Sequence, residues 1–381
     1  MAERPRRRYE LQHQELNQLI EELVHQAQEL YGESEDGEYV RQIIVSAIRM
    51  IRDRASRGDL KLINSTLKEL RHSFRVFSPY RHLRKVAVFG SARTSPEHPD
   101  WKQAYDFAER MAAEGWMTIT GAGDGIMGAA QGGAGRESSF GVNIRLPFEQ
   151  RANEIIAGDH KLISFRYFFT RKVMFVKEAH AIALFPGGFG THDEGFEALT
   201  LIQTGKSEIL PIVFVDEPGG SYWKDWAEYL ESHLNMRSLI NEADLGLFKI
   251  TDSSEEAVQE ILNFYSNYHS SRYVGDLLVL RVRQAPDAQQ LEELNEKFAD
   301  ILSSGQFHLS SSLPLEMGEV SHYPRVTLHF NRRDMGRLRM LIDRLNSFVS
   351  EPAAPPLDAS PHEIVERPLS PADETAEDEE G

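Results

Sequence analysis

Between Lys85 and Tyr268 the chain alternates short, unbroken apolar runs with amphipathic stretches, and this alternation constrains the fold more than any other feature. The runs are VAVFG (86–90), WMTIT (116–120), FGVNI (140–144), AIALF (181–185) and LPIVFV (210–215). Because these runs carry no charged residue and are mostly apolar on both alternating faces, they suit strands covered on both sides, as in a parallel sheet. Helical spacing of apolar residues fills the gaps at 101–114, 165–178, 191–204, 222–234 and 254–267. The expected class is α/β, a doubly wound Rossmann-like parallel sheet, with ligands at the carboxyl ends of the strands.

The chain has 381 residues, more than a single core usually holds, so further units are expected on either side. Residues 1–82 read as a helical region. Within it, Leu11, Leu16, Leu19, Ile20 and Leu23, then Val40, Ile43, Ile44, Ala47, Ile48 and Ile51, repeat at helical spacing. Residues 83–268 form the Rossmann-like domain. Residues 270–349 read as a small ferredoxin-like α+β unit: a strand at 276–282, a helix at 287–302, strands near 306–311 and 324–330, and a helix at 333–348. The segment 350–381 holds six of the 17 prolines and ten acidic side chains against Arg367 alone, and is expected to be a disordered acidic tail.

That tail carries −9 of the formal net charge of −17, so the remainder is mildly acidic. Such a charge repels phosphate backbones, which disfavours extended nucleic-acid binding although Arg145, Arg151, Arg166 and Arg171 could cluster. No apolar run reaches bilayer-spanning length and the arginine-rich start lacks the apolar core of a signal peptide, so the expectation is a cytoplasmic protein with no membrane partner. The sequence contains no cysteine, which rules out disulfides and thiolate metal sites.

Three glycine-rich turns follow three of the strands: Gly90-Ser91-Ala92-Arg93, Gly121-Ala122-Gly123-Asp124-Gly125-Ile126-Met127-Gly128, and Pro186-Gly187-Gly188-Phe189-Gly190-Thr191. Glycine lets successive backbone N–H groups converge on an anion, helped by the positive end of the following helix. A glycine after a strand also serves a simple tight turn; three at one sheet edge favour phosphate. No acidic residue about twenty positions after the Gly121 turn completes a dinucleotide fingerprint, so a nicotinamide cofactor is disfavoured.

Thr191-His192-Asp193-Glu194 fits a capping box, a purely structural reading in which Thr191 caps a helix. Beside a phosphate loop a carboxylate has a second reading, as stabiliser of an oxocarbenium-like sugar or orienter of water, which makes Glu194 the catalytic candidate. Arg171 and Lys172 interrupt an aromatic helix; they are either a solvated face or the clamp for a phosphate monoester. His192 has two readings, a ligand contact or a residue of the turn, and the turn is favoured. Histidine and carboxylate spacings give no metal site, and none is expected.

Arg171-Lys172-Val173-Met174 and Pro186-Gly187-Gly188-Phe189-Gly190-Thr191-His192-Asp193-Glu194 resemble the signature pair of the LONELY GUY (LOG) family, R-K-x-x-M and P-G-G-x-G-T-x-x-E. GSAR (90–93), GAGDGIMGAA (121–130), GVNIRLPFEQ (141–150) and LTLIQTGK (199–206) extend the resemblance over roughly 84–267. The resemblance implies hydrolysis of the N-glycosidic bond of nucleoside 5'-monophosphates, cytokinin ribotides or ordinary nucleotides, without a cofactor. It implies Arg171 and Glu194 as the catalytic pair. Substrate would be held by Gly90, Ser91, Gly121, Gly123, Lys172, Gly187, Gly188, Gly190 and Thr191, with Glu154 and Thr200 as looser alignments. It further implies a homo-oligomer. The flanking regions depart from the compact family form, and a nucleotide effector on the 270–349 unit is an expectation by likeness. The competing reading is a nucleotide-binding sensor or regulator that does not turn its ligand over.

Overall fold

A computed structural model describes residues 9–32, 36–145, 152–313, 316 and 322–349. The acidic tail, the arginine-rich start, and the LPFEQ part of GVNIRLPFEQ together with Arg151 lie outside the described residues. The chain divides into two compact units, residues 1–68 and 69–381. Among the described residues no helix is long and apolar enough to cross a membrane.

The first unit contains α1 (Gln14–Tyr31), α2 (Gly37–Arg52) and the beginning of α3 (Arg57–Phe77), which continues across the boundary. α1 and α2 each bury little: Ile20 on α1 and Val45 on α2 are enclosed, whereas Leu19, Leu23, Val40, Ile43 and Ile51 remain exposed. Arg49 holds the start of the unit, lying 3.9 Å over the Tyr9 ring and donating to the Glu10 carbonyl at 2.5 Å.

The second unit is built on seven parallel strands: β1 (Lys85–Phe89), β2 (Met117–Thr120), β3 (Ser139–Ile144), β4 (Leu162–Phe165), β5 (Ala181–Leu184), β6 (Ile212–Val215) and β7 (Phe248–Thr251). Their spatial order is β4-β3-β2-β1-β5-β6-β7, so the winding reverses between β1 and β5. The helices between them are α4 (Pro99–Ala113), α5 (Ile126–Ala134), α6 (Phe168–Glu178), α7 (Phe189–Gln203) and α8 (Tyr222–Tyr229), and α9 (Ser254–Phe264) follows β7. The apolar runs of β1, β2, β5 and β6 are fully buried, as strands sandwiched between helix layers must be.

Three elements of this sheet were not anticipated. β4 is a four-residue edge strand whose Phe165 reads in the sequence as the start of a helix, and β7, at the other edge, buries only Thr251 fully. α5 reads as loop because Gly128, Gly132 and Gly133 depress helix propensity. The reason for one of those glycines is tertiary: a Cβ on Gly133 would lie 2.0 Å from the Tyr105 carbonyl oxygen on α4. The two helices meet backbone to backbone, and only glycine permits it.

A four-stranded antiparallel sheet follows, from β8 (Tyr268–Val274), β9 (Leu277–Val282), β10 (Leu302–Ser310) and β11 (Arg325–Phe330), in the order β10-β11-β9-β8. Helices α10 (Ala288–Lys297) and α11 (Met335–Asn346) complete this α+β part. β8 is an addition to the sequence reading; its solvated middle, Ser270 to Arg272, carries no apolar run. One hydrophobic core runs through both sheets, from Val86 and Leu184 to Leu280, Leu341 and Leu345. Asn346 fastens the junction: its side chain accepts from the Asn267 and Tyr268 amides and donates to the Phe264 carbonyl.

Gly133→Ala should destabilise the 69–381 unit by about 2 kcal/mol or more, because the new methyl cannot be accommodated without separating α4 from α5. Chemical denaturation of the variant against wild type measures the loss.

Candidate functional site

The reversal between β1 and β5 opens a crevice at the carboxyl edge of the sheet, where doubly wound folds bind ligands. The loops leaving these two strands are tied together: the Ser91 amide donates to the Pro186 carbonyl at 3.1 Å and the Phe185 amide to the Phe89 carbonyl at 2.9 Å. The turn after β2 joins them, with the Ile126 amide donating to the Ser91 carbonyl at 3.0 Å. Their approach is so close that a Cβ on Gly187 would meet Thr191 Oγ1 at 2.2 Å, and one on Gly125, at φ 63°, would meet the Ser91 carbonyl at 2.3 Å.

A cavity of about 720 Å³ lies over this junction. The residues that the sequence nominates and that line it are Gly90, Ser91, Gly121, Arg171, Gly187, Gly188, Gly190, Thr191 and Glu194. Four nominated residues lie outside the lining. The Gly123 carbonyl is taken by the Asn153 side chain at 2.9 Å, and Glu154 is exposed beside that asparagine. Thr200 faces a separate cavity of about 130 Å³ with Phe196 and Gln203. Lys172 points to three carboxylates, at 2.6 Å from Glu197 Oε2, 3.0 Å from Asp193 Oδ2 and 3.3 Å from Glu194 Oε2.

The capping-box reading of Thr191 does not hold. α7 begins earlier, at Phe189 with Gly188 as its cap residue, and the Thr191 and His192 amides both turn back to the Gly188 carbonyl. Thr191 and Glu194 therefore sit inside the helix, and the Glu194 carboxylate is directed to side chains instead of a cap amide. It is 8% exposed, with Arg171 Nη2 at 3.6 Å from Oε1. The second motif also departs from R-K-x-x-M: the methionine comes one position early, at Met174, and Phe175 takes its place and lines the cavity.

Burial raises the Glu194 carboxyl above its ordinary value, against the opposing pull of Lys172 and Arg171. Burial likewise lowers the Arg171 guanidinium, against Glu194 and Asp193. Both partners move in the direction that disfavours charge, so their attraction at 3.6 Å does not make up for lost hydration. Arg171 rests over the Phe168 ring at 5.0 Å, and its Nε meets no acceptor among the described residues. Burial would also pull Lys172 down, but hydrogen bonds to Glu197 and Asp193 and the charge of Glu194 hold it above the usual lysine value.

Three contributors escaped the sequence reading. Phe189 is 96% exposed at the mouth of the cavity, and Arg93 lines it from the first loop. Tyr222, at the start of α8, donates to the Gly187 carbonyl at 2.5 Å and stands 2.8 Å from His192 Nε2. With its single proton committed to Gly187, the Tyr222 oxygen accepts from Nε2–H, and His192, lowered by burial, is held neutral with that tautomer. Arg93 was legible as the cation of GSAR, and His192 lay within the quoted motif. Tyr222 had no local signal, since thirty residues separate it from His192. Among the described residues no group of three or more His, Asp or Glu side chains could hold a metal ion.

Residues 125–261 match the family described as "Possible lysine decarboxylase", which supports the superfamily to which the two motifs point. No curated protein matches the chain. Among solved structures, a molybdenum cofactor binding protein from the phototrophic bacterium Rippkaea orientalis is 20% identical over 46% of this chain and 93% of its own, with a TM-score of 0.32. The molybdenum cofactor carrier protein of Chlamydomonas reinhardtii is 19% identical over 46% and 94%, at 0.32. DNA processing protein A from Helicobacter pylori is 13% identical over 47% and 80%, at 0.34.

Tyr222→Phe removes the donor to Gly187 and the acceptor for His192 together. It should lower the melting temperature by about 2–4 °C at an unchanged far-ultraviolet spectrum, as scanning calorimetry would record.

Proposed function

We propose that this protein hydrolyses the N-glycosidic bond of nucleoside 5'-monophosphates, giving a free base and ribose 5-phosphate. The observation that carries the proposal is the buried carboxylate of Glu194 beside Arg171 in the cavity over the glycine loops. The phosphate would take the backbone amides of residues 187–191 and the amino end of α7, where the helix dipole favours negative charge. Arg171 would orient the substrate and balance its charge. That leaves the ribose within reach of Glu194.

Cleavage breaks the bond between the anomeric carbon and the base nitrogen. The leaving base takes the bonding pair and a proton, and water adds to the anomeric carbon. In the transition state positive charge builds on the ring oxygen and the anomeric carbon, and the ionised Glu194 stabilises it or takes the proton of the attacking water. Lys172 acts at one remove, because its ammonium between Asp193, Glu194 and Glu197 opposes the upward pull of burial on the Glu194 carboxyl.

Base release from a panel of monophosphates, each beside its dephosphorylated nucleoside, tests this directly. Monophosphates alone should react, and Glu194→Gln and Arg171→Ala should each lower kcat/KM by about a hundredfold or more. Tight binding of the same nucleotides with no base released by wild type would instead establish the sensor reading.

The pH dependence has a defined sign. Reaction requires the ionised carboxylate, and burial favours the protonated one. The acidic limb of kcat/KM should therefore fall off at a pH above the ordinary glutamate value of about 4.3. A limb at or below that value would remove Glu194 from the role.

A further inference from the structure

Two arginines outside the candidate site leave the same edge of their guanidinium groups without an acceptor. Arg84 immediately precedes β1, at the edge of the parallel sheet opposite the glycine loops, and is 2% exposed. Its guanidinium carbon lies 3.6 Å over the Tyr265 ring and 5.8 Å from the Trp116 ring. Arg283 follows β9, with its amide on the Asn267 carbonyl and its Nη1 donating to Tyr323 Oη at 3.0 Å. In both residues the buried Nε and Nη2 atoms meet no hydrogen-bond partner.

Nε–H and Nη2–H are the parallel pair with which arginine grips two oxygens of one oxyanion. The neighbouring strands supply the comparison. Arg281 places Nε and Nη2 at 3.0 and 2.8 Å from Glu316 Oε1, and Arg325 places Nε at 3.1 Å from Glu316 Oε2 and Nη2 at 3.3 Å from Oε1. Where this sheet uses a buried arginine structurally, it provides a carboxylate for that edge. For Arg84 and Arg283 the described residues provide aromatic faces and a tyrosine hydroxyl. The two charges also act on each other: burial pulls Arg84 down first of all, and the Arg283 charge adds to it against the rings of Tyr265 and Tyr268. Two like charges with four buried donor nitrogens unmatched are costly unless a ligand of opposite charge completes them.

We propose that Arg84 and Arg283 form a second anion site that binds a phosphate group, as free phosphate or as a phosphate monoester, separately from the glycine-loop cavity. Two forks and two positive charges suit a dianion that offers three or four oxygens better than a single carboxylate. The cavity lining includes neither arginine, so the second site and the hydrolase reading stand or fall independently.

Calorimetric titration of the full chain with inorganic phosphate, and in parallel with glycerol 3-phosphate, tests the proposal. Gly188→Asp serves as the background: Gly188 has open space around its Cβ position, so the aspartate is accommodated and repels phosphate from the glycine loop. The Gly188→Asp protein should still bind phosphate at one saturable site, and adding Arg283→Gln or Arg84→Gln should weaken that binding at least about tenfold. Equal affinity for both probes identifies the free anion as the ligand, and tighter binding of glycerol 3-phosphate identifies an esterified one. Without phosphate, Arg283→Gln should leave Tm unchanged or raise it, because it relieves like-charge repulsion. No saturable heat in the Gly188→Asp background, or binding that survives both arginine substitutions, overturns the proposal; so does a lower phosphate-free Tm in Arg283→Gln, the mark of a purely structural arginine.

Discussion

Everything at the candidate site depends on how closely three backbones approach one another at the reversal between β1 and β5. Ser91 bonds to Pro186, Ile126 bonds to Ser91, and the Cβ positions of Gly125 and Gly187 are occupied by neighbouring atoms. Side chains there would force the loops apart, and with them the amides that converge at the amino end of α7. The fully buried strands beneath fix where those loops begin, so rigidity in the sheet becomes precision in the loops.

On that platform the charged groups are arranged under tension. Glu194 and Arg171 both sit where burial works against their charges, while Lys172, with three carboxylates around it, gains more than it loses. The outcome is a buried carboxylate whose nearest arginine stays at 3.6 Å, without a short bidentate partner. Contrast Glu316, which the Leu313 amide, Arg325 and Arg281 together bind and, against burial, hold at about 2. The same residue type is gripped by two arginines at one place and lines a cavity, loosely paired, at the other. The distance to arginine and the degree of pairing separate the two roles.

The second unit also shows how an appended domain becomes part of a core. The antiparallel sheet shares its apolar interior with the parallel one, and Asn346 sews the start of β8 to the end of α9. The first unit differs in kind. α1 and α2 bury one large aliphatic side chain each and expose many, so they present an apolar surface where the second unit presents a finished one.

The sequence by itself determined the α/β class, the places of the buried strands along the chain and the three glycine turns, because these rest on local rules: periodicity, and the need for backbone freedom after a strand. It also nominated Arg171 and Glu194. What it left out rests on contacts between distant residues. α5 is a helix despite its glycines because α4 comes too close for anything larger, and Thr191 fails as a cap because α7 starts earlier, at the loop that Tyr222 and Ser91 hold from outside. Lys172 and Thr200 were placed by motif spacing, which fixes a position along a helix but not what faces it across the gap to the next element. That choice belongs to packing, and only the tertiary structure made it.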